Sequence, residues 1–347
     1  MAEPRSPSQS EPGHQEAVRA VPGWPVVSRL FEGPRVYLWL AALLALVPLV
    51  NSDAYFVHIL ILCLMNAALA SSWNLLCGYA GLFSFGHQAF FGLGAYVSAL
   101  LTMKAGLSPW LGFFVGGAVA AAAGFLIGLP CLRLRAPPYV AIATLGFAEI
   151  CRFTAMNLVS LTRGELGLWG IPELPPVRLP GMGQLTFAAQ RVPYFYVMLV
   201  LYLAMMAGLY RLLRSPVGLA LKSVRDSQDA AESLGVDLTR TKLLVFVSSA
   251  FLAGIVGGFY AHYVLILTPT SVLSVAVMIE VIAMTLVGGL GTFVGPTVGA
   301  FALTLLLEYM RVLGGYRLLI YGALLVAIIL FMPGGAVRRL LPARMTF

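Results

Sequence analysis

The chain has 347 residues, of which 60% are hydrophobic and only 10% charged, with a formal net charge of +8. Soluble domains are about 45–50% apolar and about 25% charged, so a soluble enzyme and a secreted domain are excluded. A nucleic-acid binder is excluded too, because the basic residues are gathered in a few connecting segments, as in a membrane protein. The apolar content suffices for about ten crossings of roughly 20 residues each.

Residues 1–35 hold six prolines, mixed charges and no apolar periodicity, which predicts a disordered cytoplasmic tail. The first apolar run begins at Val36, and Asn51-Ser52-Asp53-Ala54 after it is no small-residue cleavage site, so this run is read as retained. Apolar segments then recur at about 36–50, 55–76, 80–101, 109–129, 138–160, 194–213, 243–263, 272–287, 292–310 and 316–331. The fold class expected is an all-α polytopic membrane protein of about ten transmembrane helices. With the N-terminus inside, fifteen Lys and Arg fall in inside segments and six outside, which predicts N-in and C-in. The domains expected are the 1–35 tail, a membrane domain over 36–335, and a cytoplasmic tail over 336–347. Within the membrane domain, 161–193 is external and 211–242 is a cytoplasmic loop.

Three segments stand apart from apolar filler. Gly78 to Tyr96 carries five glycines together with Ser84, His87 and Gln88. Such residues are costly in a membrane unless they face protein or a cavity. Gly81, Ser84, Gly86, His87, Gly92 and Gly94 are therefore candidates to line a pathway, and tight packing through small residues is a compatible reading.

The 211–242 segment is the long charged loop of the inside face. Ser215-Pro216 reads as a helix start, Val217, Leu221 and Val224 as an apolar stripe, and Asp226 as the cap of a second short helix ended by Gly235. Two such helices lying on the membrane form a docking surface for a soluble partner, or else a solvated amphipathic loop. The third segment, Gly288 to Gly299, is a glycine turn leading into a helix with GxxxG spacing, and it loosely echoes 78–96.

Ionisable residues inside the apolar runs are few: His58, His87, Glu149, Arg152 and Glu280, with Glu308 near a helix end. Glu149 and Arg152 are three apart and are expected to pair on one helix. Cys63, Cys77, Cys131 and Cys151 show neither metal spacing nor a disulfide framework, and no metal site is expected. The chain has no phosphate-cradling GxxxxGK[ST], no HExxH and no Ser/His/Asp array. Catalysis by this chain is not expected, nor is a cofactor of its own; any ATPase would be another polypeptide, bound at 211–242.

Four blocks in order carry a resemblance. Gly78 to Leu101 resembles the glycine-rich signature of permeases of branched-chain amino-acid ABC importers. Leu132-Arg133-Leu134-Arg135 with Tyr139 to Ile150 is similar to a stretch in the second of that system's two permeases. Arg225-Asp226, Ala230-Ala231 and Gly235 resemble the family's ATPase-contacting segment, and Gly288 to Gly299 a further block. The resemblance spans roughly 36–335. It implies a homologous second permease, two cytoplasmic ABC ATPases, a soluble substrate-binding protein and a location in a bacterial plasma membrane. It places ATPase coupling on Arg225, Asp226, Ala230, Ala231 and Gly235, and pathway lining on the glycine-rich segment. The external pattern departs from the family at Arg163, which stands where a glycine is common. Urea or short amides remain an alternative cargo to branched-chain amino acids. An ion-coupled secondary transporter, with Glu149 or Glu280 essential, and a non-transport scaffold are the rival functions.

Overall fold

The computed structural model describes residues 44–48, 51–133, 137–179, 183–187 and 190–314, together with 316, 319–320, 322–323 and 326. The 1–35 and 336–347 tails and Leu134-Arg135 lie outside these residues. So do most of the runs expected at 36–50 and 316–331.

Eight helical passes run between two ends of the bundle among the described residues. They are α1 (Ala54–Asn74), α2 (His87–Ala105), α3 (Pro109–Arg133), α4 (Pro137–Asn157), α6 (Arg191–Arg214), α9 (Leu238–Val264), α11 (Val275–Gly288, preceded by the four-residue α10, Pro269–Val272) and α12 (Gly295–Tyr309). At one end lie α7 (Pro216–Asp226) and α8 (Gln228–Ser233); at the other, the one-turn α5 (Val159–Thr162). Among the described residues, six spans are long and apolar enough to cross a membrane: 54–79, 109–132, 138–157, 191–214, 238–264 and 269–288. The chain is thus an all-α polytopic membrane protein, with α2 and α12 running between the same ends.

Helix ends follow local chemistry. Asp53 accepts from Phe56 N at the start of α1, and Asp237 from Arg240 N at the start of α9, each satisfying an amide with no partner inside its helix. Three expected boundaries move. The 55–76 helix continues as a π turn, Leu75–Tyr79. The 80–101 run starts its helix only at His87, leaving 80–86 as a largely buried loop. The 272–287 run begins as α10, and the chain then breaks at Leu273-Ser274 before α11.

The core is built by close crossings. At Gly94 of α2, an added Cβ would lie 2.1 Å from Gly254 O of α9, and at Gly116 of α3, 2.6 Å from Gly94 O. Three helices thus meet backbone to backbone, the geometry that small residues permit in lipid. Phe90, Phe113, Phe246 and Phe259 fill the spaces between them, each essentially inaccessible.

The end opposite α7–α8 is held by side-chain hydrogen bonds. His262 Nδ1 donates to Pro172 O (2.8 Å), and its Nε2 shares a bond with Ser98 Oγ (3.0 Å). The Tyr194 hydroxyl donates to His262 O at 3.1 Å. β1 (Leu168–Trp169) pairs antiparallel with β4 (Ile266–Leu267), tying the 161–193 segment to the end of α9. β2 (Val177–Leu179) and β3 (Gly183–Leu185) form a second antiparallel pair. Arg163 sits over the Trp169 ring at 4.4 Å.

Candidate functional site

The α7–α8 end is built from the three segments that stand out in the sequence. α6 stops at Arg214, and Ser215 turns extended while its hydroxyl donates to Leu212 O at 2.6 Å. Pro216 opens α7 where a missing N–H costs nothing. Leu221 and Val224 are buried and Val217 half-buried, so the expected stripe faces the bundle. The opposite face carries Leu219, 71% exposed, with Lys222 and Asp226, and Arg225 stands exposed on the flank between the two faces.

The cap of α8 differs from the expectation. Asp226 is the last residue of α7, and Ser227 is the N-cap, its hydroxyl accepting from Ala230 N at 3.3 Å. Both residue types serve at N-caps; the position one step nearer α8 wins because α7 runs on through Asp226. α8 ends in a Schellman motif: Val236 N donates to Ala231 O (3.0 Å) and Gly235 N to Glu232 O (2.9 Å), with Gly235 at φ +84°. Lys242 Nζ donates to Gln228 Oε1 at 2.8 Å, fastening α8 to α9.

Of the five coupling candidates, Arg225, Asp226, Ala230 and Gly235 are exposed, whereas Ala231 is buried. Ala231 therefore seats α8 on the bundle and presents no side chain to solvent. Leu234, 81% exposed, stands beside it as an apolar knob among charges. Periodicity did not single it out, because a leucine beside a helix end normally reads as buried.

Beneath α7, the other two segments meet. The Arg225 guanidinium covers Gly291 so closely that a Cβ there would lie 2.8 Å from Nη1. Gly291 has φ +74°, a conformation that only glycine adopts freely. Asn74, the last residue of α1, clamps this turn: its Oδ1 accepts from Gly291 N (2.8 Å), and its Nδ2 donates to Thr292 O (2.9 Å). Gly78 of the π turn packs on the same backbone, where a Cβ would lie 2.6 Å from Gly291 N. The α7 helix, the π turn and the α11–α12 turn thus form one joint. Asn74 gives no signal in the sequence beyond being a polar residue at the end of an apolar run.

The structure disperses the six pathway candidates. Gly81, with φ +68°, is exposed and has open space beside it. Ser84 is buried, with its hydroxyl accepting from Gly86 N (3.2 Å) and its carbonyl from Trp73 Nε1 (2.8 Å). Gly86 packs on the Thr144 backbone, Gly92 on Leu273, and Gly94 on Gly254. His87 is buried and shares a 2.8 Å bond with Ser72 Oγ. In this conformation, Gly86, His87, Gly92 and Gly94 pack against or bond to neighbouring elements.

Glu149 and Arg152 pair as expected, through two bonds of 2.6 and 2.9 Å to Glu149 Oε2. His58 bonds to Tyr263 and Tyr55 to Glu308, so these groups are joined locally at the end opposite α7. His262, absent from the sequence-derived set, turns out to organise that end. Cys63, Cys77 and Cys131 are buried and Cys151 half-buried, all free thiols.

Comparison with known proteins gives a consistent result. The family model described as branched-chain amino acid transport system, permease component, matches residues 55–332. The chain is 33% identical to the high-affinity branched-chain amino acid transport system permease protein LivM of Escherichia coli K12, over 93% of this chain and 80% of that protein. It is 26% identical to a probable branched-chain amino acid transport permease protein LivH of Methanocaldococcus jannaschii, over 69% of this chain and 76% of that protein. It is also 25% identical to the nucleoside ABC transporter permease protein NupC of Lactococcus lactis, over 52% of this chain and 59% of that protein. No solved structure matches it.

Proposed function

The chain belongs to the family of permease components of branched-chain amino acid transport systems, and from that premise we propose how its two ends divide the work of import. It is a multi-pass membrane subunit of a branched-chain amino acid importer, not an enzyme; ATP hydrolysis belongs to partner chains. Its assembly comprises a homologous second permease, two cytoplasmic ABC ATPases and a soluble substrate-binding protein.

The α7–α8 end faces the cytoplasm. The 211–242 segment there carries six basic residues, in line with the positive-inside rule. In this reading one further crossing at 36–50 and one at 316–331 make ten helices, with the 1–35 and 336–347 tails inside and 36–335 as the permease domain. The 161–193 segment, held by His262 and the β1–β4 pair, is the docking face for the binding protein.

The observation that carries the mechanism is the exposed face of α7–α8, with Leu219 and Leu234 set among Lys222, Arg225, Asp226 and Asp229. An ATPase seated on it moves α7, and Arg225, lying on the Gly291 turn, passes that motion to α11–α12 and, through Asn74, to α1. Docking outside and ATP-driven closure inside bias two states of the bundle. The glycine-rich loop from Gly81 to Gly86 with His87, and the α2 face bearing Gly92 and Gly94, border the pathway as those states exchange. Glu149 and Arg152 neutralise each other beside it. The soluble protein supplies specificity, and a weakly polar pathway passes a zwitterion without trapping it.

Uptake of labelled leucine by cells with and without the gene tests the reading. Loss of uptake on deletion, with isoleucine and valine competing in the wild type, is expected. Competition by urea or short amides in place of isoleucine and valine overturns the cargo assignment. Uptake that collapses with an uncoupler while ATP is held constant overturns the ATP-driven mechanism in favour of ion coupling.

A further inference from the structure

Most buried polar groups among the described residues are satisfied. Asn74, Ser98, Thr144, Ser249 and Thr285 all have partners within hydrogen-bond distance. Among the exceptions, three are on α2: His87 Nδ1, both polar atoms of Gln88 and the hydroxyl of Tyr96 are buried without a partner, as is the Tyr210 hydroxyl of α6. His87 keeps its Nε2 bond to Ser72, whereas Gln88 and Tyr96, only 2% and 6% exposed, have no side-chain partner at all. Leaving a buried polar group unpaired is costly, so a fold keeps such groups where another state or a ligand uses them. The unpaired Ser71 and Tyr79 hydroxyls differ, since they border a void of about 10 Å³, room for about one water. Neither Gln88 nor Tyr96 lines it.

Gln88, Gly92 and Tyr96 are spaced i, i+4, i+8 and form one ridge of α2. Gly92 fixes what that ridge faces: a Cβ there would lie 2.2 Å from Leu273 Cδ2 and 3.4 Å from Val272 O. Val272 is the last residue of α10 and Leu273 the first of the break before α11, and both are buried. The ridge therefore abuts the point where a membrane pass loses helical continuity, a place where the backbone can re-form at modest cost.

We propose that Gln88 and Tyr96 are substrate-contacting residues, held dry against the α10–α11 break here and bared to the passing amino acid when the break parts from α2. A carboxamide offers one donor pair and one acceptor, which meets the carboxylate and ammonium of a zwitterion without adding charge. The Tyr96 hydroxyl adds a second such contact. Ala99, Val272 and Leu273, all buried and apolar, accept the aliphatic side chain. The proposal rests on the importer reading and assigns it a contact site.

The test is the complete complex, with its ATPases and binding protein, in proteoliposomes loaded with ATP and supplied with labelled leucine. Gln88→Leu is expected to lower uptake about tenfold and Tyr96→Phe about threefold, each a modest loss of transition-state contact. Melting of the purified complex is expected to stay level or rise, because an apolar isostere relieves an unpaired group. Tyr309→Phe, the same change at an exposed tyrosine, leaves uptake unaltered. Wild-type uptake in both α2 variants overturns the proposal, as does loss of uptake accompanied by a melting drop of several degrees in both. The two readings fail separately: no leucine uptake by the wild-type complex refutes the cargo, whereas intact uptake by the variants refutes the contact site.

Discussion

The chain turns twice at the α7–α8 end through Gly-x-x-Gly-x-Phe: Gly78 to Phe83 between α1 and α2, and Gly288 to Phe293 between α11 and α12. Gly81 and Gly291 occupy the same place in each and share the left-handed conformation, at φ +68° and +74°. Their surroundings differ. Gly291 lies beneath Arg225 and is bonded to Asn74, and Thr292 braces its turn further by donating to Gly289 O at 2.7 Å and accepting from Gly295 N at 3.1 Å. Gly81 has nothing within 4 Å of where a Cβ would stand, and its loop is held on either side of that open space, by Leu82 N donating to Leu76 O at 3.1 Å and by Phe85 N donating to Thr144 Oγ1 at 3.0 Å. One sequence pattern thus serves as a clamped joint in one place and an open loop in another. The clamped joint is the one under the helix that carries the docking face.

That comparison breaks most sharply at Gly291→Ala. The left-handed conformation alone costs about 1–2 kcal/mol for an L residue, and the new Cβ meets Arg225 Nη1 at 2.8 Å and Gly78 O at 3.1 Å. A combined loss of about 2–4 kcal/mol is expected, read as a steep fall in the folded fraction surviving detergent extraction and heating. Asn74→Leu comes next. It frees two buried backbone groups, at about 1–3 kcal/mol each, and uncouples α1 from the turn; transport is expected to fall further than the melting shift alone explains. Gly81→Ala meets only the backbone penalty, about 1–2 kcal/mol, and a small melting shift with retained complex assembly is expected. If Gly81→Ala proves as damaging as Gly291→Ala, the open and clamped turns are not different and the joint loses its meaning. Leu234→Ser has the smallest effect on stability, within about 0.5 kcal/mol for an exposed site, yet it is expected to weaken retention of the ATPase in a pull-down.

Much of this was legible from residue types. The amphipathic stripe of Val217, Leu221 and Val224, the Glu149–Arg152 pair and the Gly235 helix stop are local patterns, with spacings fixed by helix geometry. What the sequence hid is long-range. Asn74, Gly78, Arg225 and Gly291 are up to 217 residues apart and converge only through the packing of α1, α7 and α11. The Leu273-Ser274 break falls at a single serine near the start of an apolar run, where hydropathy cannot tell one helix from two. Ser227 displaced Asp226 as cap because side chains that cap equally well are distinguished only by where the preceding helix ends. Ala231 looked like a contact and is a packing residue, so Ala231→Glu would unseat α8 and report nothing specific about a partner. Gly235, at φ +84°, is compromised as a probe for a similar reason. Leu234, exposed and free of any structural duty in α8, is the cleaner handle.

The central claim is that the α7–α8 face seats the ATPase, and Leu234→Cys tests it directly. With Cys63, Cys77 and Cys131 buried and Cys151 half-buried, a short thiol-to-amine crosslinker applied to membranes reports chiefly on position 234. An adduct between this chain and an ATPase subunit, its yield changing when ATP is added, is the predicted result. A thiol at position 234 that yields no ATPase adduct and is labelled by a membrane-impermeant maleimide from outside intact cells would contradict both the docking face and its orientation.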